Sequence, residues 1–317
     1  DWVALRSGGL AAKLLICGQW PAPISAPRSA PSRRLASAIS PTRVPEIETG
    51  FAKVPGARLY YEVAGQGHPL LLIHAGVADC RMWDDQFPVF AEHFRVIRYD
   101  TRAFGKSVTE DVAFSNRQDI CDLLDHLGIE RAYIIAVSRG GSIAIDFTLE
   151  HPDRVAALIP VASGLSGFKS GPRPDAETRM FAEMDRLYEA KEFTRLADLE
   201  VRMWVSGPGQ SPDRVALPLR ERVREMILSN YTTHTVEGQP VVLDPPAAGR
   251  LAEIRVPSLV VLGDLDETGV LRAAEAIASG IPGARKVVIP GTAHMLTMEK
   301  PAEFTRLVLE FLQGLPA

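Results

Sequence analysis

Ser138 lies in Ala136-Val-Ser-Arg-Gly-Gly141, where the apolar run Ala132 to Val137 gives way to a helical pattern. A serine there can act as a nucleophile if the strand-to-helix turn is sharp enough to lift its hydroxyl out of the sheet. Such a turn leaves little room two residues before and two after the serine, and Ala136 and Gly140 are both small. A hydroxyl is a weak nucleophile without a base. His294, in Pro290-Gly-Thr-Ala-His294 after another apolar run, is of the right type, because an imidazole titrates near working pH. A carboxylate that orients the histidine should fall between the two in chain order, after a further strand. Val261-Leu-Gly-Asp-Leu-Asp266 offers Asp264 and Asp266. Each residue alone has a bland reading: a helix-capping serine, a surface histidine, a turn aspartate. The order Ser138, Asp266, His294, each at the carboxyl end of a strand, makes the three together far more specific than any one.

Acyl transfer also needs donors for a developing oxyanion. One is expected from the backbone N–H of Arg139, at the head of the helix, where free N–H groups and the dipole favour negative charge. The other is expected from the loop His74-Ala-Gly-Val77, with Gly76 N–H as the choice and Ala75 as the neighbouring alternative. His74 itself is read as a structural residue that holds this loop.

The elements that must position these groups follow from periodicity. Short apolar or alternating runs at Arg58 to Val63, Pro69 to His74, Arg95 to Tyr99, Ala132 to Val137, Val155 to Val161, Ser258 to Leu262 and Lys286 to Ile289 predict strands. Ser115 is a helix N-cap candidate ahead of Ile120, Leu123, Leu124 and Leu127, and Pro301 opens a last helix carrying Phe304, Leu307, Val308 and Phe311. Strands alternating with helices predict a mostly parallel sheet covered on both sides. Between about 165 and 251 only helices are predicted, as an insert into a domain spanning 51–317. Residues 1–50 are expected to be a poorly ordered extension. Their first 45 positions hold six Pro, six Ser and six basic residues with Asp1 as the one acid. This composition suits a transit peptide; a secretory signal is disfavoured by Lys13, and a translated stretch without function is the reading preferred over both.

Composition excludes several functions. With 35 basic against 39 acidic residues, the net charge of −4 shows no basic excess for nucleic acid. No apolar run reaches the ~18 residues of a membrane helix. The three cysteines, Cys17, Cys80 and Cys121, lack metal-ligand spacing, and no metal or cofactor is implied. Gly105-Lys-Ser107 resembles the end of a phosphate-binding loop, but Asp100 stands where that loop needs glycine. A cytoplasmic location is expected.

From about Tyr60 to Leu312 the chain resembles the α/β-hydrolase superfamily. The resemblance rests on His74-Ala-Gly with Arg81-Met-Trp83, and on Tyr99-Asp-Thr-Arg-Ala-Phe-Gly-Lys-Ser107, in which Ala103 replaces the usual glycine. It extends to Ser138-Arg-Gly-Gly141 with His151-Pro-Asp-Arg-Val155, then Gly263-Asp-Leu-Asp266, then Gly291-Thr-Ala-His294. It implies an α/β-hydrolase fold, a serine hydrolase, and Asp266 rather than Asp264 as the acid. The helical insert resembles that family's lid. Trp204, Met203 and Phe168, with Phe181, Met184 and Tyr231, are candidates for an apolar substrate pocket, against the simpler expectation that most of them pack the insert together. Arg139 could meet a substrate carboxylate, or more simply form an ion pair. The expected reaction is hydrolysis of a small ester or lactone. Carbon–carbon bond hydrolysis and perhydrolysis use the same triad, and a ligand receptor with little turnover is the rival from another class.

Overall fold

Residues of a β-strand point alternately to opposite faces, so a strand apolar at every position must be covered on both sides. Leu70 to Ile73, Ile134 to Val137 and Leu259 to Leu262 are such runs, and nearly all of their residues are fully buried. The computed structural model describes residues 46–315. The strands are β1 (Glu48–Val54), β2 (Ala57–Ala64), β3 (Pro69–Ile73), β4 (Arg95–Tyr99), β5 (Val108–Thr109), β6 (Ala113–Phe114), β7 (Ala132–Val137), β8 (Val155–Val161), β9 (Gln239–Pro240), β10 (Leu259–Gly263) and β11 (Arg285–Ile289). The main sheet runs β1-β2-β4-β3-β7-β8-β10-β11, with β5 paired on β2. The β1–β2 and β2–β4 pairs are antiparallel; every pair from β4 to β11 is parallel.

The helices are α1 (Phe87–Ala91), α2 (Asn116–His126), α3 (Arg139–Glu150), α4 (Asp175–Glu189), α5 (Phe193–Glu200), α6 (Leu217–Thr233), α7 (Thr268–Gly280), α8 (Leu296–Glu299) and α9 (Pro301–Gln313). Ser115 caps α2 as its sequence suggests, its hydroxyl accepting the Gln118 N–H at 3.3 Å. The alternation of the strands divides the core. Leu71, Ile73, Ile134, Ala136, Val260 and Leu262 pack with α2, α3 and α7 on one face. Leu70, Leu72, Ile135, Val137, Leu259 and Val261 pack on the other face with α1 and α9. Met184, Met203, Trp204 and Met226 of the insert belong to that second cluster.

Two expectations need correction. The first strand begins earlier than residue 51: Glu48 to Gly50 open β1, paired with Val63, Glu62 and Tyr61 of β2. Only Ala52 and Val54 of β1 are buried, so this edge strand carries little apolar signal; the ladder to β2 orders it. The assignments for residues 1–45 lie outside the described residues. The stretch 165–251 is also not purely helical, since β9 pairs with β6. A two-residue strand ending in Pro240 has no periodicity to read. Among the described residues no helix is long and apolar enough to cross a membrane.

Candidate active site

Parallel strands align their carboxyl ends along one rim. Here the register brings Ile73 beside Ala136, Val137 beside Val161, Val161 beside Val261, and Gly263 beside Ile289. The loops that leave β3, β7, β10 and β11 at that rim carry His74 to Val77, Ser138, Asp266 and His294. Open α/β sheets commonly bind ligands at this edge.

Ser138 occupies the turn between β7 and α3 with φ +58° and ψ −118°, a conformation a side chain adopts only under strain. The surrounding structure holds it there. Its N–H donates to Val161 O at 2.9 Å, and its carbonyl accepts from Ser142 N–H at 3.1 Å and Gly164 N–H at 3.2 Å. The need for a small residue at 140 has a different source from the one read in the sequence. A Cβ on Gly140 would come 2.5 Å from His74 O, so the crowding is against the end of β3 rather than Ala136. Because that oxygen is backbone, relief requires the loop that begins at His74 to move. Gly140→Ala is expected to lower kcat by about a hundredfold, as a 1 Å misplacement can. Steady-state kinetics beside a denaturation curve will separate this from simple loss of fold.

His294 is buried, and its Nδ1 lies 2.8 Å from Asp266 Oδ2; the two side chains are 3% and 0% exposed. Asp266 Oδ1 accepts the Glu267 N–H at 2.8 Å, which fixes the carboxylate plane. A carboxylate only accepts, so Nδ1 carries a hydrogen, and in the neutral ring that leaves the lone pair on Nε2. Asp264 is exposed and its Oδ1 instead accepts Gly291 N–H at 2.6 Å. The acid loop and the histidine loop meet at Gly263, where a Cβ would come 2.2 Å from Thr292 O. Among the described residues Ser138 Oγ forms no hydrogen bond with the His294 ring, although both stand on the same rim. Catalytic contacts of this kind are often loose without substrate and tighten with it.

In the loop that follows β3, Ala75 N–H is engaged by Met82 Sδ at 3.3 Å, which leaves Gly76 N–H as the candidate donor. Within residues 70–80 Gly76 is the one position that is not buried. The Arg139 side chain lies across it, since a Cβ at Gly76 would sit 3.4 Å from Arg139 Cδ. Arg139 donates to Thr101 Oγ1 at 3.0 Å and to Asn116 Oδ1 at 3.4 Å, and its guanidinium carbon lies 5.0 Å from the Phe104 ring centroid. Thr101, missed in the sequence, also donates its N–H to His74 Nε2 at 3.0 Å.

His74 accordingly holds the loop: Nδ1 donates to Ala75 O at 2.7 Å while Nε2 accepts from Thr101. Burial pushes the His74 imidazole down to about 4. The folded state therefore resists a proton that the unfolded chain takes up near pH 6.5. Its stabilising contribution is full above that pH and is lost as pH falls toward 4. The stability difference between the native protein and His74→Asn should shrink by about 2 kcal/mol between pH 7.5 and 4.5, measured by urea denaturation.

Beneath the same loop Asp79, Cys80 and Asp100 bring potential ligand atoms within 4.8 Å of one another. They are tied into the fold: Asp79 pairs with Arg81 at 2.8 Å, and Asp100 accepts Cys80 N–H at 2.8 Å and Lys106 N–H at 2.7 Å. Burial, with Asp79 nearby, pushes the Asp100 carboxyl up to about 6.

The three pocket candidates differ in place. The Trp204 ring lies 4.7 Å from the His294 ring, centroid to centroid, and 5.9 Å from Phe181. Met203 is fully buried within the core that the insert shares with the sheet. Phe168 is half-buried on the turn after β8, and among the described residues no ring contact joins it to Ser138 or His294.

A family model described as "alpha/beta hydrolase fold" matches residues 68–301. The 2-hydroxy-6-oxo-6-phenylhexa-2,4-dienoate hydrolase of Comamonas testosteroni is 26% identical over 80% of this chain and 91% of its own length. A thermophilic esterase from Thermogutta terrifontis superposes with a TM-score of 0.68 at 26% identity, covering 84% of this chain and 98% of its own. An N-acyl homoserine lactone degrading enzyme superposes with a TM-score of 0.65 at 25% identity, covering 83% and 100%.

Proposed function

Because this chain belongs to the alpha/beta hydrolase fold family, we propose that it is a serine hydrolase that cleaves a carboxylic ester or lactone through Ser138, His294 and Asp266. The observation that carries this reading is the buried 2.8 Å contact of His294 Nδ1 with Asp266 on the rim where Ser138 sits at φ +58°. In the proposed mechanism His294 Nε2 takes the Ser138 proton as the hydroxyl attacks the carbonyl. The N–H groups of Gly76 and Arg139 receive the oxyanion. His294 then protonates the leaving alcohol and activates the water that releases the acid. Asp266 holds the imidazole tautomer and stabilises its charged form throughout. The segment 165–251 acts as a lid in this scheme, with Trp204 as the wall of the acyl or alcohol site nearest the base.

A second reading, hydrolysis of a carbon–carbon bond, is favoured by the dienoate hydrolase relative. Both use the same serine and histidine. A panel of p-nitrophenyl esters, acyl homoserine lactones and a vinylogous diketone acid discriminates between them. The ester or lactone reading expects turnover of at least one ester or lactone, and stoichiometric fluorophosphonate labelling located at Ser138 by mass spectrometry. Turnover of the diketone alone favours the second reading. Binding without turnover or labelling would indicate a receptor.

A further inference from the structure

One side chain of the insert contacts the histidine loop at a point separate from Asp266, through Gly291 O and Glu299. α5 runs directly into a single turn of π-helix, Val201–Ser206, which carries Trp204. The last carbonyls of any helix lack N–H donors within it and need donors from elsewhere. Here Arg214 supplies them: its Nη2 donates to Val205 O and its Nε to Ser206 O, both at 2.7 Å. The same guanidinium reaches into the sheet domain, where Nη1 donates to Gly291 O at 2.8 Å and to Glu299 Oε2 at 2.6 Å. The other carboxylate oxygen of Glu299 accepts the N–H of Ala293, next to His294, at 2.8 Å. Both charges are shielded, with side chains 17% and 5% exposed. Chain packing tightens the junction further. Gly207, just after the π-turn, has φ +93°, and a Cβ there would come 2.7 Å from Leu265 O and 3.2 Å from Ala293 Cβ. Leu265 and Ala293 directly precede Asp266 and His294.

We infer that Arg214 and Glu299 are positioning residues that hold the Trp204 turn and the His294 loop in one register, so that a seated insert fixes the base. The inference rests on the proposed function of His294 as base, and it predicts a consequence that reading does not contain. Freeing the insert should misplace the imidazole without touching any triad residue. A planar guanidinium can span three carbonyls and a carboxylate, whereas a lysine ammonium keeps the charge but not the fork.

The test is a set of variants: Arg214→Met, Arg214→Lys and Glu299→Gln. Arg224→Met is the control, because Arg224 pairs with Asp198 inside the insert. Two readouts are taken, steady-state kinetics on the best ester and the low-field proton resonance of His294 Nδ1–H. Arg214→Met is expected to lower kcat by about ten- to a hundredfold with a smaller change in KM, and to broaden or shift the resonance. Arg214→Lys should recover only part of the loss. Arg214→Met and Glu299→Gln should be non-additive, as groups in one network are. The Arg224 control should leave the resonance in place. If a folded Arg214→Met keeps kcat within about threefold of the native protein and its resonance is unchanged, the inference is overturned. Should Arg214→Met not fold, the Lys and Gln variants carry the same criterion. If the native protein turns over no ester while its resonance still depends on Arg214, the clamp stands and the substrate reading falls.

Discussion

Ser138→Ala is expected to lower kcat on a p-nitrophenyl ester by about 10⁵-fold or more, while leaving the fold intact. The size follows from the loss of the nucleophile itself: the oxyanion donors and the bound geometry remain, but no acyl-enzyme can form. Fluorophosphonate labelling should vanish with it. The fold should survive because the anchors of the turn are backbone groups, namely the Ser138 N–H on Val161 O and its carbonyl on Ser142 and Gly164. Ser138→Gly sharpens the test. At φ +58° a side chain costs roughly 1–2 kcal/mol that glycine does not incur, partly offset by the greater freedom of glycine in the unfolded chain. The glycine variant should therefore be as inactive as the alanine variant, yet at least as stable in urea. Activity within about tenfold of native in either variant would remove Ser138 from the mechanism.

Asp266→Asn is expected to cost about 10³- to 10⁴-fold in kcat with little change in overall structure. The reason is a hydrogen-bond constraint. Asp266 Oδ1 must accept the Glu267 N–H, so an asparagine keeps its carbonyl on that side and turns its NH₂ toward His294. An NH₂ donates, so Nδ1 must accept, and the ring hydrogen moves to Nε2, where it cannot receive the serine proton. Asp264→Asn is the paired control. Its side chain is exposed and accepts Gly291 N–H, a bond the amide oxygen can keep, so kcat should stay within about threefold. The reverse ranking of the two variants, measured in one assay, would exchange the acid assignment.

The two aspartates show how far sequence alone reaches. They lie two positions apart in one turn, and local chemistry does not rank them; the likeness of Gly263-Asp-Leu-Asp266 to a family turn does. Strand segments were legible because a strand buried on both faces has to be apolar at each position, as β3, β7 and β8 are. The edge strand β1 and the two-residue β9 escaped because pairing, not composition, makes them strands. The small residue at 140 was visible, but its reason was not: the clash is with His74 O, just past the end of the neighbouring strand β3.

By itself, the sequence determined the order of the apolar strands β2, β3, β4, β7, β8, β10 and β11, the largely helical stretch between β8 and β10, and the chain order of serine, aspartate and histidine. These properties are written in periodicity and residue type, which act over a few neighbours. Tertiary structure alone decided that the Asp266 carboxylate lies 2.8 Å from the imidazole, that Ala75 N–H is taken by Met82 Sδ, that Trp204 lies against His294, and that Arg214 reaches Glu299. Those contacts join positions 7 to 90 residues apart. Their geometry depends on how the sheet and the insert pack, and no local pattern carries that information.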